Sequence, residues 1–429
     1  MHQQADWNPP RHTDEATITL DPDQRLVDQT GLDRNTRYTV LEEGPDGQSV
    51  TRSVAYTDGN GQVTHITNPA PEPGARVVDP NENVDLTHPR PGVTHRIELG
   101  FDEPHTYTAV PHNGTDEGMA PAATRFDPPS DANPVRWPGT YDVNEHGPFS
   151  ARNDLPANSR IEVRGPNGEL HGVFWTDGEH QVTHVRTWYG NRQDGFNPEL
   201  GDTNRTVTDY NVPRPNTHYL VEPHDRFRTN DPAAPLDPPA ATRTGDFGSG
   251  GVRPGTFLFH TDANGQPQSA SGQPDYDTPH GSGQQRNTTV QGRVGHIGAT
   301  DEYSPGRFDG GHIFPHEARG PGERINYFPQ WSPTNRGNSG GDVTPSTGWR
   351  GAFERHLERI HSNNTRITIE RIDFLPEPND PNVTPKVVHT RWTQTDSSTI
   401  PPTTTTHYRS CHNLDPTQRG GGPPPPTPG

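Results

Sequence analysis

A short pattern recurs along the first two thirds of this chain and limits the folds open to it. Asn35-Thr-Arg-Tyr-Thr-Val40 leads to Tyr56-Thr-Asp-Gly-Asn-Gly-Gln-Val-Thr-His-Ile66, and Asn158-Ser-Arg-Ile-Glu-Val163 leads in the same way to Trp175-Thr-Asp-Gly-Glu-His-Gln-Val-Thr-His-Val185. A looser third copy runs from Pro215-Asn-Thr-His-Tyr-Leu-Val221 to His260-Thr-Asp-Ala-Asn-Gly-Gln-Pro267. The stretches that follow also answer each other: Pro89–Glu98 matches Pro213–Glu222, and Ala122–Arg125 matches Ala240–Arg243. Self-similarity over about 120 residues predicts one supersecondary unit built about twice, with a partial third copy. Within a unit, Arg37–Val40, Val54–Thr57 and Gln62–Ile66 carry β-branched and aromatic residues in short runs. Asp58-Gly-Asn-Gly61 between the last two supplies residues that tolerate positive φ, so the unit reads as hairpins.

Composition argues against a single compact core running through the whole length: either much of the chain is irregular, or it is cut into small units. Only 25% of the 429 residues are hydrophobic, Gly numbers 45 and Pro 50, and the mean hydropathy is -1.04. Small β-rich units joined by Pro-rich connectors, such as Asn68–Gly74 and Asp231–Pro239, satisfy that composition. The length fits two or three domains, and the tail 416–429 is expected to be disordered or extended. A lone cysteine, Cys411, excludes an internal disulfide and a Cys-based zinc cage. No apolar run is long enough to span a membrane. The start at Met1-His-Gln-Gln lacks the basic and apolar regions of a secretory leader, so a secreted chain would need a specialised exporter.

The net charge of -19 argues against a polyanionic partner until the chain is divided. Residues 1–280 hold 21 basic against 41 acidic side chains, whereas residues 281–413 hold 14 against 13. The last third is therefore nearly neutral and can approach phosphate. The repeats read as duplicated structural hairpins, or alternatively as a delivery or presentation module.

From residue 250 the pattern changes. Gly255–Thr261 and Asn287–Gly295 read as strands, and a further strand is expected to end in Asp309-Gly-Gly-His312. A Gly- and Pro-rich loop then runs to Asn335. Ser346–Ile360 reads as a helix with Trp349, Phe353, Leu357 and Ile360 on one face. Thr365–Phe374 and Lys386–Gln394 read as strands. A His at a strand end can deprotonate water near neutral pH. An uncharged Asn can hold a hard divalent cation whose remaining positions are filled by water. His312 and Asn335 have those residue types. Gly310 and Gly311 would let the backbone close around the His.

Residues 255–400 resemble the DNA/RNA non-specific endonuclease family, a ββα-metal group. The match runs through Thr261–Gly265, Asp309-Gly-Gly-His-Ile313, Gly320, Arg324-Ile-Asn326, Pro329-Gln330, Asn335, and Trp349-Arg350 with Glu354. The resemblance implies an α+β chain: mostly β repeats with Pro-rich linkers, then a C-terminal ββα-metal nuclease domain. The corresponding divisions are 1–130 and 131–249 for the repeat units, 250–415 for the nuclease domain and 416–429 for the tail. It implies His312 as base and Asn335 as ligand of Mg²⁺ or another divalent cation such as Mn²⁺. Asp309, Arg307, Asn326, Gln330 and Glu354 complete the catalytic set, and Arg324 and Arg350 contact substrate. The relatives carry Arg where this chain has Gly310; Arg307, Arg293 and Arg286 are the candidates to replace it. Glu358 is the alternative to Glu354. The implied activity is hydrolysis of DNA and RNA phosphodiesters by the effector of a secreted bacterial toxin, with a cognate immunity protein as partner. The rival expectations are a non-enzymatic extracellular β-repeat binding protein with a degenerate terminal domain, and a scavenging nuclease.

Overall fold

The computed structural model describes residues 2–4, 7–43, 48–68, 78, 83–88, 90, 92–97, 105–109, 126–164, 170–189, 213–223, 254–277, 288–299, 308–332, 335, 349–362, 364–376 and 384–413. Seven strands make a first sheet: β1 (His2–Gln4), β2 (Asp14–Leu20), β3 (Thr36–Glu43), β4 (Ser49–Thr57), β5 (Val63–Thr67), β6 (Thr94–Ile97) and β7 (His105–Ala109), in the order β1-β7-β6-β5-β4-β3-β2. A second sheet opens with β8 (Asn133–Arg136), β9 (Ser159–Arg164), β10 (Leu170–Thr176), β11 (Val182–Tyr189), β12 (His218–Pro223), β13 (Thr256–Thr261) and β14 (Pro267–Gln273). A separate hairpin, β15 (Phe308–His312) with β16 (Tyr327–Trp331), follows in sequence. Then β17 (Thr365–Pro376), β18 (Pro385–Asp396) and β19 (Thr403–His412) extend the second sheet beyond β14, completing ten strands. The described helices are short: α1 (Val84–Thr87), α2 (Val143–His146), α3 (Thr288–Ala299) and α4 (Arg355–Ile360), the last continuing a π-helical turn over Arg350–Glu354.

The repeated residues are the joints of this architecture. Asn35, Asn158 and Asn216 all adopt left-handed φ, at 49°, 46° and 50°, which Asn tolerates better than most residues. Their N–H groups donate to the carbonyls of Asp58, Asp177 and Asp262 at 3.0, 2.9 and 2.9 Å. The threonine before each of those aspartates accepts from the backbone just past the Asn: Thr57 from Thr36, Thr176 from Ser159 and Thr261 from Thr217, at 2.9, 3.0 and 2.9 Å. Each Asp Oδ1 then accepts two turn N–H groups, from Asn60 and Gln62, Glu179 and Gln181, and Asn264 and Gln266. In β3–β5, β9–β11 and β12–β14 this device closes a three-stranded antiparallel meander. The third copy is thus structurally complete. Parallel pairing of β5 with β6 and of β11 with β12 adds the next copy to the open edge, a solenoid-like growth in which each unit chiefly touches its neighbours.

Alternating burial follows the pleat. Leu20, Tyr38, Val40, Ala55, Ile66 and Leu86 form the first core. There Arg52 is fully buried and neutralised by Asp85 at 2.8 Å. The larger core runs from Phe149 and Phe174 through Phe257, Phe314, Phe328, Trp349 and Phe353 to Phe374 and Trp392. One cross-strand row is unusual: His184, His218 and His260 lie in register across β11, β12 and β13. Their rings stack at 4.9 Å and 4.1 Å, with interplanar angles of 14° and 7°.

Two expectations are corrected. The α+β reading with a C-terminal ββα-metal nuclease domain does not hold: the chain is mostly β, and the region after residue 250 gives five strands to the ten-stranded sheet. The reason lies in β17–β19, long antiparallel strands that join β14 and make this region an extension of the repeats. Asn287–Gly295 was expected to be a strand because of its Thr-Thr-Val run, yet 288–299 is α3. Val290 and Val294, four apart, meet Tyr327 on one helical face. The face of Trp349, Phe353 and Leu357 is buried as expected, with Ile360 at its margin, although residues 346–348 lie outside the described set. So do Asp231–Pro239, most of the connector Asn68–Gly74 and the tail 416–429. No helix among the described residues is long and apolar enough to cross a membrane.

Candidate functional site

The Asp-Gly-Gly-His segment is β15, and the Asn326–Gln330 segment leads through β16. Asp309 stands opposite Gln330 and His312 opposite Tyr327. The two-residue pleat sends Asp309 and Gly311 to one face, and Gly310 and His312 to the other. Both glycines are required by what lies against them. A Cβ on Gly310 would lie 2.6 Å from the Gln291 carbonyl oxygen in α3, and one on Gly295 would lie 2.5 Å from the Phe308 oxygen. Helix and strand backbones therefore touch, and position 310 has no room for an Arg side chain. Gly310→Ala is expected to cost about 1–3 kcal/mol by forcing α3 off the strand, measurable as a lower midpoint in urea denaturation. A Cβ on Gly311 would overlap the Gln330 side chain.

On the Asp309 face, Asn335 Nδ2 donates to Asp309 Oδ2 at 3.3 Å. Gln330 is 1% exposed, and its Oε1 is buried with no hydrogen-bond partner. One carboxylate and two amides thus gather here, and the oxygen of one amide, that of Gln330, is a buried acceptor that lacks a donor. Such oxygen donors suit Mg²⁺ or Mn²⁺. Among the described residues, no group of three or more His, Cys, Asp or Glu side chains could hold a metal, so this mixed carboxylate–amide set is the candidate.

On the other face, His312 is buried against the Tyr327 ring, with centroids 4.7 Å apart. Its carbonyl accepts from Trp349 Nε1 at 2.8 Å, so the Trp349 segment fixes the end of β15. His312 is the last residue of its strand, where the chain turns towards Phe314. His312 and the oxygen cluster therefore lie on opposite faces of β15.

Other expected site residues are built into the scaffold or a neighbouring cleft. Asn326 Oδ1 accepts from Phe314 N at 2.9 Å, and its Nδ2 donates to the Phe314 and Pro321 carbonyls at 2.9 and 2.8 Å, which ties down both ends of the amide. Arg324 donates to the Tyr327 carbonyl at 3.0 Å and to Gln266, joining the hairpin to the β13–β14 turn. Burial lowers its pKa to about 10 despite the Asp262 charge. Arg350 and Glu354 line a cleft with Tyr276, Pro315, Glu317, Arg355 and Glu358. There burial, and after it the charges of Glu354, Glu358 and Glu317, raise the Tyr276 phenol well above its ordinary range. Arg307 and Arg286 lie outside the described residues, and Arg293 is exposed on α3.

Two supporting residues were missed. Tyr327 carries no signal of its own in the sequence; the antiparallel register places it beside His312. Asn413 accepts from Trp331 N at 2.6 Å and donates to the Pro329 and Pro385 carbonyls at 2.8 Å, locking β16 to the chain's last strands. Its distance of more than eighty positions from β16 left no local signal. No family model matches the chain, and no curated protein matches it.

Proposed function

We propose that this chain is a metal-dependent endonuclease that hydrolyses phosphodiester bonds of DNA and RNA with little sequence preference. The observation that carries the reading is the convergence of Asp309, Gln330 and Asn335 on one face of the hairpin whose strand ends in His312. Asn335 and Asp309, with Gln330 behind them, would hold Mg²⁺ or Mn²⁺, which supplies charge stabilisation at the phosphate. His312, at the strand end, accepts the proton of the attacking water. Tyr327 and the Trp349 indole keep the imidazole and its backbone in place. The near neutrality of residues 281–413 is compatible with an approaching polyanion.

The proposal extends to a secreted effector, with the repeats ahead of the hairpin as its delivery portion and a cognate immunity protein as its partner. The test is purified full-length chain incubated with plasmid and with RNA in Mg²⁺. Nicking and degradation that stop on adding EDTA are expected; no cleavage of either polymer in Mg²⁺ or Mn²⁺ would sink the reading. One observation favours a non-enzymatic β-repeat binding protein instead: the pleat directs His312 and Asp309 to opposite faces of β15. The same assay decides between them, because a binding protein leaves both polymers intact.

A further inference from the structure

Where α1 meets β19, the first repeat touches the last strand of the second sheet. His88 follows directly on α1, its Nδ1 3.0 Å from Thr87 Oγ1. His407 and Arg409 are two apart on β19 and share a face. His407 stacks on the Trp392 ring at 5.2 Å and 13°, and His356 of α4 meets the same indole edge-on at 5.8 Å. One aromatic platform therefore carries two imidazoles. His407 Nε2 and Arg409 Nε are both buried without a hydrogen-bond partner.

Charge in this seam is one-sided. Burial first, then Arg409, Arg25, His356 and His407, lower the His88 pKa to about 4. Burial first, then Arg359, Arg409 and His407, lower that of His356. Arg25 is matched by Asp28 at 2.7 Å. Among the described residues no carboxylate pairs with Arg409, His88, His356 or His407. A guanidinium without a counter-charge and buried nitrogens without partners are costly, and an anion seated there would relieve both costs.

We propose that this seam is a binding site for a phosphate-class oxyanion, held by the Arg409 guanidinium and the His88, His356 and His407 imidazoles. A guanidinium with imidazole N–H donors suits a tetrahedral phosphate-class oxyanion. The site is independent of the nuclease reading, since none of its residues belongs to the hairpin. The facing titratable and charged groups are Arg25 with its partner Asp28, His88, His356, Arg359, His407 and Arg409. Because an anion favours the imidazolium forms, binding tightens as pH falls.

The test uses the full chain with inorganic phosphate, and with a small phosphomonoester in a parallel arm, titrated calorimetrically at pH 6 and pH 8 against chloride at equal ionic strength. Binding at pH 6 that weakens by about tenfold or more at pH 8 is expected. Phosphate binding alone identifies free phosphate as the ligand, and binding of both identifies the phosphoryl group. His356→Gln, on a half-buried helical position, is expected to weaken binding at least several-fold. In the unaltered chain, phosphate is expected to move the NMR signals of His88, His356 and His407 while leaving those of the His184–His218–His260 row in place. No phosphate binding at pH 6, or binding that leaves the three seam histidines unshifted, overturns the proposal.

Discussion

His312→Gln in the full-length chain is expected to lower Mg²⁺-dependent cleavage of plasmid DNA and of RNA by about 10²–10⁴-fold, the range usual for loss of a positioned general base. Gln fills much of the space left by the imidazole against Tyr327, so the fold should survive. The melting transition of the variant provides the check. His312→Ala should lose at least as much activity, with some stability lost as well because a buried ring is removed. A folded His312→Gln protein with undiminished cleavage would remove His312 from the chemistry.

The second large effect is acid destabilisation through the stacked histidines. Burial, followed by the neighbouring rings, lowers His184 to about 3 and His218 to about 4; burial lowers His260, with Asp262 opposing. A free imidazole titrates near ~6.5. Between that value and the folded ones, the unfolded chain binds more protons than the folded chain. The stack's contribution is therefore fully present above about pH 6.5 and is lost as pH falls towards 3–4. The expected loss over that window is on the order of a few kcal/mol, since each pKa unit corresponds to ~1.4 kcal/mol. Urea denaturation at pH 7, 5.5 and 4.5 measures it. His218→Phe keeps a flat ring between its neighbours but cannot titrate, and should flatten the profile. An unchanged pH slope in that variant would show that other groups dominate the acid response.

The joints of the fold were legible because they are local. Asn35, Thr57 and Asp58, with their counterparts in the other copies, recur in the same order, and each makes the bonds that close its own meander. The apolar spacing of Trp349, Phe353 and Leu357 was legible for the same reason. What escaped depends on distant partners. Thr288-Thr-Val290 has β-branched residues that suit a strand, and it is contacts from other segments, with Tyr327 and with the Phe308–Gly310 backbone, that go with a helix there. The match between residues 255–400 and the endonuclease family rested on short polar motifs. Such motifs say little about where strands as long as β17–β19 will pair, and pairing onto β14 made the region part of one sheet.

The candidate site divides in the same way. Asp309, Gln330, Asn335 and His312 were named from order and spacing, and the hairpin joins the first three. The pleat that turns His312 to the opposite face follows from register, which a motif does not encode. Asn326 and Arg324 have residue types fit for a site but spend their hydrogen bonds on the hairpin's own frame. Gly310 is explained only by the nearness of Gln291 in α3.

The most direct measurement is of metal binding itself: Mn²⁺ titrated into the full-length chain and followed by the loss of the free-ion electron paramagnetic resonance signal, for wild type, Asn335→Ala and Asp309→Ala. One bound Mn²⁺ in the wild type, displaced by Mg²⁺ and weakened at least tenfold in both variants, is the expected result. A wild-type chain that binds no Mn²⁺, or variants that bind it as tightly as wild type, would contradict a divalent-cation site at Asp309, Gln330 and Asn335 and the nuclease reading built on it.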